Sequence, residues 1–273
     1  PHILTALTFV LLFAEPIALL VRDWWNDPEA GHGLLLAPIA IWLVWRAGIR
    51  TNPTPNRALG IFLLASGIIL RYLSGLAAEL FTMRFSMLLA LAGIICFIWG
   101  WRQVLHWWLP LTLLLLSIPI PAILTDTLAL PLQLKASAMG AALLEFRHVP
   151  VRLLGNVILL PGQSLFVTEA CSGLRSLTAL LALGVLIGGL WLRHPVTRIM
   201  LLLLTLPVAI LINAVRVFLT GFLVYNVSPE MGRGFMHLSE GWLLFVIAFA
   251  ILGLTAWIGN RIEAAILARR TRE

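Results

Sequence analysis

Again and again along this chain, stretches of roughly 18 to 25 residues pass with hardly a charge, each long enough to cross a hydrocarbon core of about 30 Å as a helix. That pattern removes most folds from consideration. Lipid offers backbone groups no hydrogen-bond partner, so a spanning segment must satisfy them within itself as a helix or within a closed barrel. A barrel requires alternation of apolar and polar residues, and the leucine runs at 111–116 and 201–204 do not alternate. With 60% apolar and 11% charged residues and a mean hydropathy of +0.99, the chain reads as an all-α integral membrane protein.

Spans are predicted at about 3–21, 33–45, 58–73, 85–100, 104–122, 174–191, 199–223 and 241–260, roughly eight in a single multi-spanning domain over 1–273. The first segment lacks a basic n-region and an A-x-A site, so it reads as a span and not as a signal peptide. Residues 123–170 do not read as a simple span. Their first part carries a sparse polar stripe of Asp126, Gln133, Lys135, Ser137 and Glu145, which suggests a helix lying at the interface or packed against the bundle, in a re-entrant or interfacial segment at the outer face. Their second part reads as two short strands around Pro161-Gly162, a hairpin that delivers the chain to Cys171.

The net charge of +7 does not point to nucleic acid, because the arginines gather at segment ends. With the N-terminus taken as cytoplasmic, the short inner loops hold Arg46, Arg50, Arg57, Arg102, Arg193, Arg198, Arg261, Arg269, Arg270 and Arg272, ten of the 19 Lys and Arg residues. The acids Asp23, Asp27, Glu29 and Glu79 then face outward. Eleven tryptophans near predicted span ends fit an interfacial belt. Two cysteines make no disulfide framework, and Cys96, deep in an apolar segment, reads as a small core residue.

Three polar features interrupt the apolar pattern of the second half, and the charge topology sends them to one face. Cys171 stands at the mouth of the sixth span, where a helix N-terminus lowers a thiol's pKa. Arg216, expensive in lipid and so turned toward a bundle interior or a wet cavity, lies near the outer end of the seventh, with Asn213 one turn earlier on the same face. His237 precedes the last span and can exchange protons near neutral pH. A thiol, a proton-transfer group and a cation are the parts of a Cys-His site with an Arg electrophile. Glu169 and Arg175 flank the cysteine as supporting or substrate-binding groups, and His32, in Gly31-His32-Gly33, is a fourth outer candidate. No Cys, His or acid spacing suits a metal, and no cofactor is implied. The rival reading is a transporter or channel with Arg216 and Asn213 along a polar path, against which no inverted repeat is found.

The runs Glu169-Ala170-Cys171-Ser172-Gly173-Leu174-Arg175 and Asn213-Ala214-Val215-Arg216-Val217, with His237 before Gly241-Trp242, resemble the three signature regions of the exosortase and archaeosortase family. Gly31-His32-Gly33, Ile118-Pro119-Ile120-Pro121, Pro131-Leu132-Gln133 and Gly155-Asn156-Val157-Ile158 agree with it. The resemblance implies a cysteine protease or transpeptidase of the bacterial inner membrane, with both termini cytoplasmic and the site on the outer side. Its substrates would be exported proteins bearing a C-terminal sorting signal: a short motif such as Pro-Glu-Pro, one transmembrane helix and a basic tail. By position, Cys171 would be the nucleophile, Arg216 the transition-state stabiliser and His237 the proton-transfer residue. A lipid or surface polymer would accept the product.

Overall fold

The computed structural model describes residues 2–27, 29–167, 174–232 and 234–270. It is helical apart from one small sheet, and it divides into two compact units, residues 1–121 and 122–273.

The first unit contains α1 (His2–Leu12), α2 (Ala14–Asn26), α3 (Gly33–Ala47), α4 (Arg57–Leu76), α5 (Leu80–Trp99), α6 (Trp101–His106) and α7 (Trp108–Leu116). The second contains α8 (Ala122–Phe146), β1 (Arg152–Leu154), β2 (Val157–Leu160), β3 (Gln163–Phe166), α9 (Leu174–Trp191), α10 (Pro195–Asn226), a 3-10 turn at Pro229–Gly232, and α11 (Gly234–Arg270).

The span count differs from the eight read from sequence. Among the described residues, five helices are long and apolar enough to cross a membrane, or six if the bent pair α1–α2 is one span. The long helices α4, α5, α10 and α11 cover four of the expected spans. Two others are broken at prolines. α1 and α2 meet at 69° around Phe13, and α6 and α7 break at Trp107. In each case a proline three residues on, Pro16 or Pro110, has no N–H for the carbonyl of Leu12 or His106, so the first helix stops and the proline sits in the opening turn of the next. α3 and the described part of α9 are shorter apolar helices. The remaining candidate is the helix at 123–146, which sequence left outside the spans, at the interface or packed against the bundle, and which meets the length and hydropathy of a span.

Two ion pairs fix the direction of α2. Its Glu15 meets Arg71 at 2.5 Å and its Asp23 meets Arg84 at 2.5 Å. The acids are eight residues, about 12 Å, apart along their helix, while the arginines stand at similar heights on neighbouring helices joined by the 77–79 turn. α2 therefore runs across the end of the α4–α5 hairpin. That hairpin is the closest packing in the unit: Gly60 lies against Phe97, Gly67 against Ala90 and Gly93 against Leu64. Gly100 ends α5 at φ +90°, with Thr54 O where a Cβ would stand, so only glycine fits there. Cys96 is fully buried, as expected, with its Sγ 3.8 Å from Asn56 O.

In the second unit, register can be read from close contacts. Gly184 of α9 faces Leu202 and Thr205 of α10, and Gly188 faces Leu201 and Arg198, so these helices are antiparallel. Gly259 of α11 faces Leu192, and Glu263 accepts hydrogen bonds from the backbone of Arg193 and His194, so α11 runs parallel to α9. Leu180, Val208, Ala248 and Leu252 share the core of this three-helix bundle. Gly140 and Leu144 of α8 touch Val217 and Gly221 of α10, four residues on in each, so α8 and α10 are parallel.

The expected hairpin is present and gains a third strand. β2 pairs antiparallel with both β1 and β3, and Gly162 at φ +78° makes the β2–β3 turn. Ile158, Leu160 and Val167 bury against Leu144, Val217 and Val224, which seats the sheet on α8 and the C-terminal half of α10.

Candidate active site

Arg216 and Asn213 are the sequence-predicted residues whose side chains and helix are both described in the second unit. They lie one turn apart on α10, Asn213 buried and Arg216 half-buried with its Nε shielded from solvent. Thr220, one turn further, is buried on the same stripe, and none of the three lacks a partner. Thr220 was not singled out from sequence. Its signal was the i, i+3, i+7 spacing of three polar residues in the otherwise apolar stretch 206–224 of α10.

The register above sets the level of this stripe. Residues 184 and 188 of α9 face 202–205 and 198–201 of α10, so moving ten residues back from 184 to Leu174 advances the facing position to about 212–215. The first residue of α9 is thus level with Asn213 and one residue short of Arg216. α11 reaches the same height near residue 241, since 259 matches 192 and the two helices are parallel. The start of α9, the Arg216 stripe and the first turns of α11 therefore gather at one end of the bundle.

The strand leading into this end is held from two sides. The side-chain Nδ2 of Asn156 donates to Gln133 Oε1 on α8 and to the carbonyl of Val167, both at 3.2 Å. The Val167 N–H donates in turn to the Asn156 carbonyl at 2.9 Å. Both backbone groups of Val167 are thus clipped to Asn156, while its side chain is buried beside Val217. Gln163 adds a bond from Nε2 to Val224 O at 2.9 Å. Sequence reasoning placed Gln133 on a polar stripe and quoted Gly155-Asn156, but their joint hold on Val167 depends on a contact 23 residues apart.

The other candidates separate. Cys171 and Glu169 lie outside the described residues, and Arg175 and His237 fall in the opening turns of α9 and α11 with their side chains outside them. His32 belongs to the first unit, where its Nε2 is 3.0 Å from Leu116 O beside the bond from Trp24 Nε1 to Ser117 O, a fastening of α3 and α2 to the end of α7.

A helical polytopic bundle whose second unit carries a polar stripe of Asn213, Arg216 and Thr220 level with the start of a neighbouring helix defines a membrane-embedded protein with a polar site at one bundle end. The chain matches the family described as Transmembrane exosortase (Exosortase_EpsH) over residues 24–254, most of its length, and belongs to that family. It is thus a membrane-embedded sorting enzyme, a transpeptidase of the cysteine type acting on C-terminal export signals, which decides against the transporter reading. No curated protein and no solved structure matches the chain.

Proposed function

We propose that Cys171, Arg216 and His237 form the catalytic centre, and that the enzyme cleaves a PEP-CTERM-type signal and transfers the exported protein to a surface acceptor. The observation that carries the reading is the bracketing of Cys171. Four residues before it, Val167 is buried and clipped; three residues after it, α9 begins level with the Asn213–Arg216 stripe. In the proposed site the thiol on that short tether would work against the N-terminal dipole of α9 and the guanidinium of α10.

In the mechanism, the Cys171 thiolate attacks the scissile carbonyl carbon. Arg216 stabilises the oxyanion, and His237 gives a proton to the departing amine as the C–N bond breaks. The product is a thioester plus a released fragment carrying the signal's helix and tail. An acceptor amine on a lipid or surface polymer then attacks the thioester and restores the thiol. Glu169, Arg175 and Asn213 support the site or contact the substrate.

The charges of the second unit support an outer-face site. Arg193, Arg198 and Arg261 lie at its opposite end, which the positive-inside rule assigns to the cytoplasm together with the C-terminus. Applied to the first unit, the rule puts the Arg46, Arg50, Arg57 and Arg102 end, and the N-terminal end of α1, inside as well. Thiol labelling of a cysteine introduced at Pro150 in sealed vesicles tests the outer-face assignment of the site end, and labelling from the cytoplasmic side refutes it.

The test of the chemistry is processing of co-expressed reporters bearing candidate signals, by wild type and by Cys171→Ala. Cleavage that requires Cys171, with a product heavier than the hydrolysed chain by one acceptor less one water, supports transfer. Equal processing by the variant removes Cys171 from the mechanism, and a product of hydrolysed mass removes the acceptor.

A further inference from the structure

An apolar groove of about 400 Å³ lies within the first unit, between α1, α3, α5 and α7, lined by Phe9, Val44, Leu91, Ile95, Trp107 and Leu111 among others. One end of it closes on Trp99 and Trp107, whose rings meet edge to face at 5.7 Å. Trp107 is fixed there by a bond from Nε1 to Gly48 O at 3.0 Å. Around it, Arg50 N donates to Gln103 Oε1, and His106 Nε2 lies 3.2 Å from Ala47 O. These contacts staple segments 46–50 and 102–107 together at the mouth of the groove.

That mouth is cationic without compensation. Arg46, Arg50, Arg57 and Arg102 are all exposed there, and none has a carboxylate partner among the described residues. Residues 2–14, 30–78 and 80–121 contain no Asp or Glu at all. The acids of the unit, Glu15, Asp23, Asp27, Glu29 and Glu79, belong to its other end, where two are taken by Arg71 and Arg84.

We infer that this groove holds one acyl chain of an anionic phospholipid, with the headgroup phosphate at the Arg50 and Arg102 mouth. Charge selects this occupant over the transmembrane helix of a sorting signal, whose basic tail would meet arginines, whereas clustered cations attract anionic headgroups. A ring pair at the boundary between apolar groove and cationic mouth suits the level where acyl chain gives way to headgroup.

The full chain, reconstituted in equal parts phosphatidylglycerol and phosphatidylcholine with identical acyl chains, then transferred to mild detergent, allows retained lipid to be counted by native mass spectrometry. Phosphatidylglycerol should be retained over phosphatidylcholine by about thirtyfold or more. Arg50→Gln with Arg102→Gln, both exposed and so tolerated by the fold, should reduce that preference by on the order of ten- to thirtyfold. Leu91→Trp should expel both lipids, with Leu111→Phe as the milder second filling should the first variant not fold. Retention of the two lipids in equal amounts, the absence of retained lipid on wild type, or a co-purified signal helix in the groove would each overturn the inference.

Discussion

Glu263 ties the C-terminal part of α11 to the turn between α9 and α10, and its removal should be felt as stability and not as chemistry. The carboxylate is 7% exposed. Its Oε2 accepts from Arg193 N at 2.9 Å; its Oε1 accepts from His194 N at 3.1 Å and from the Thr197 hydroxyl. Hydrogen bonds to a charged group contribute about 1.5 to 3 kcal/mol each, and three of them at the low end give about 4.5 kcal/mol. Arg193 and His194 are themselves exposed, so water can replace part of what they lose, and about half survives the discount. Glu263→Ala should therefore cost about 2 to 3 kcal/mol. Glu263→Gln keeps one acceptor and turns an NH2 toward a donor, so it should cost about 1 to 2 kcal/mol. For a chain of this size the alanine variant corresponds to a fall in Tm of about 5 to 10 °C. The assay is a thermal melt in mild detergent followed by size-exclusion recovery, with Thr197→Val completing a double-mutant cycle. Because the clamp lies about 26 Å along α9 from Leu174, reporter cleavage well below the melt should be unchanged. An alanine variant within about 0.5 kcal/mol of wild type would refute the clamp.

The other predictions concern packing, pH and the arginine. Gly93→Ala drives a Cβ to 2.6 Å from Leu64 N and 3.0 Å from Gly60 O, backbone that cannot swing away, and should cost about 2 to 3 kcal/mol; Gly253→Ala, with nothing within 4 Å, should be neutral or stabilising by up to about 1 kcal/mol, and equal melts for the two would sink the packing argument. Glu79 caps α5, and although burial pushes its carboxyl upward, hydrogen bonds from Thr82 and Phe81 and the charge of Arg84 hold it below its ordinary value near 4.5. A lowered folded pKa stabilises above the unfolded value and is lost as pH falls through the folded one, so the Tm advantage of wild type over Glu79→Gln should be full at neutral pH and decline progressively as pH falls from about 4.5 through the lower folded value, a window that a melt series from pH 7 to 3 reads directly. Arg216→Lys keeps the charge and loses the planar fork, so reporter cleavage should fall by about 10²-fold or more with Tm nearly unchanged; undiminished cleavage would remove Arg216 from the oxyanion role.

How far the fold was legible depended on which interactions were local. Apolar length alone located α4, α5, α10 and α11, because each satisfies its backbone internally and needs no neighbour to be recognised. The same criterion joined α1 to α2 and α6 to α7, since hydropathy counts Pro16 and Pro110 as ordinary apolar residues while the hydrogen-bond ladder does not. The β2–β3 turn was readable from Pro161-Gly162, yet β1 was not, because Arg152–Leu154 carries no alternation and is a strand only through pairing with β2. The ion pairs that lay α2 across the hairpin join residues 56 and 61 apart, a distance no local pattern reports.

The site shows the same division, and from it follows why its parts are where they are. Arg216 and Asn213 could be seen because polar residues in an apolar helix are conspicuous. What could not be seen is that three helices of very different length, 18, 32 and 37 residues, are brought level at that end by fastening at the other, through Glu263 and the α9–α10 turn. With the far end pinned, the antiparallel register fixes which residue of α10 faces the start of α9, and a shift of one helical turn, about 5.4 Å, would replace Arg216 there by Thr220 or Ile212. The near end is then left to the strand, which arrives with Val167 clipped to Asn156, itself bonded to Gln133, and leaves six residues, 168–173, between the sheet and α9. A tether anchored at both ends and short between them limits where a thiol in its middle can travel. Asn156→Leu, which releases only the sheet end, should therefore impair cleavage through the position of Cys171 while α10 and its arginine stay in register. Cleavage by Asn156→Leu at the wild-type rate, with its melt also unchanged, would show that the clip does not set that position.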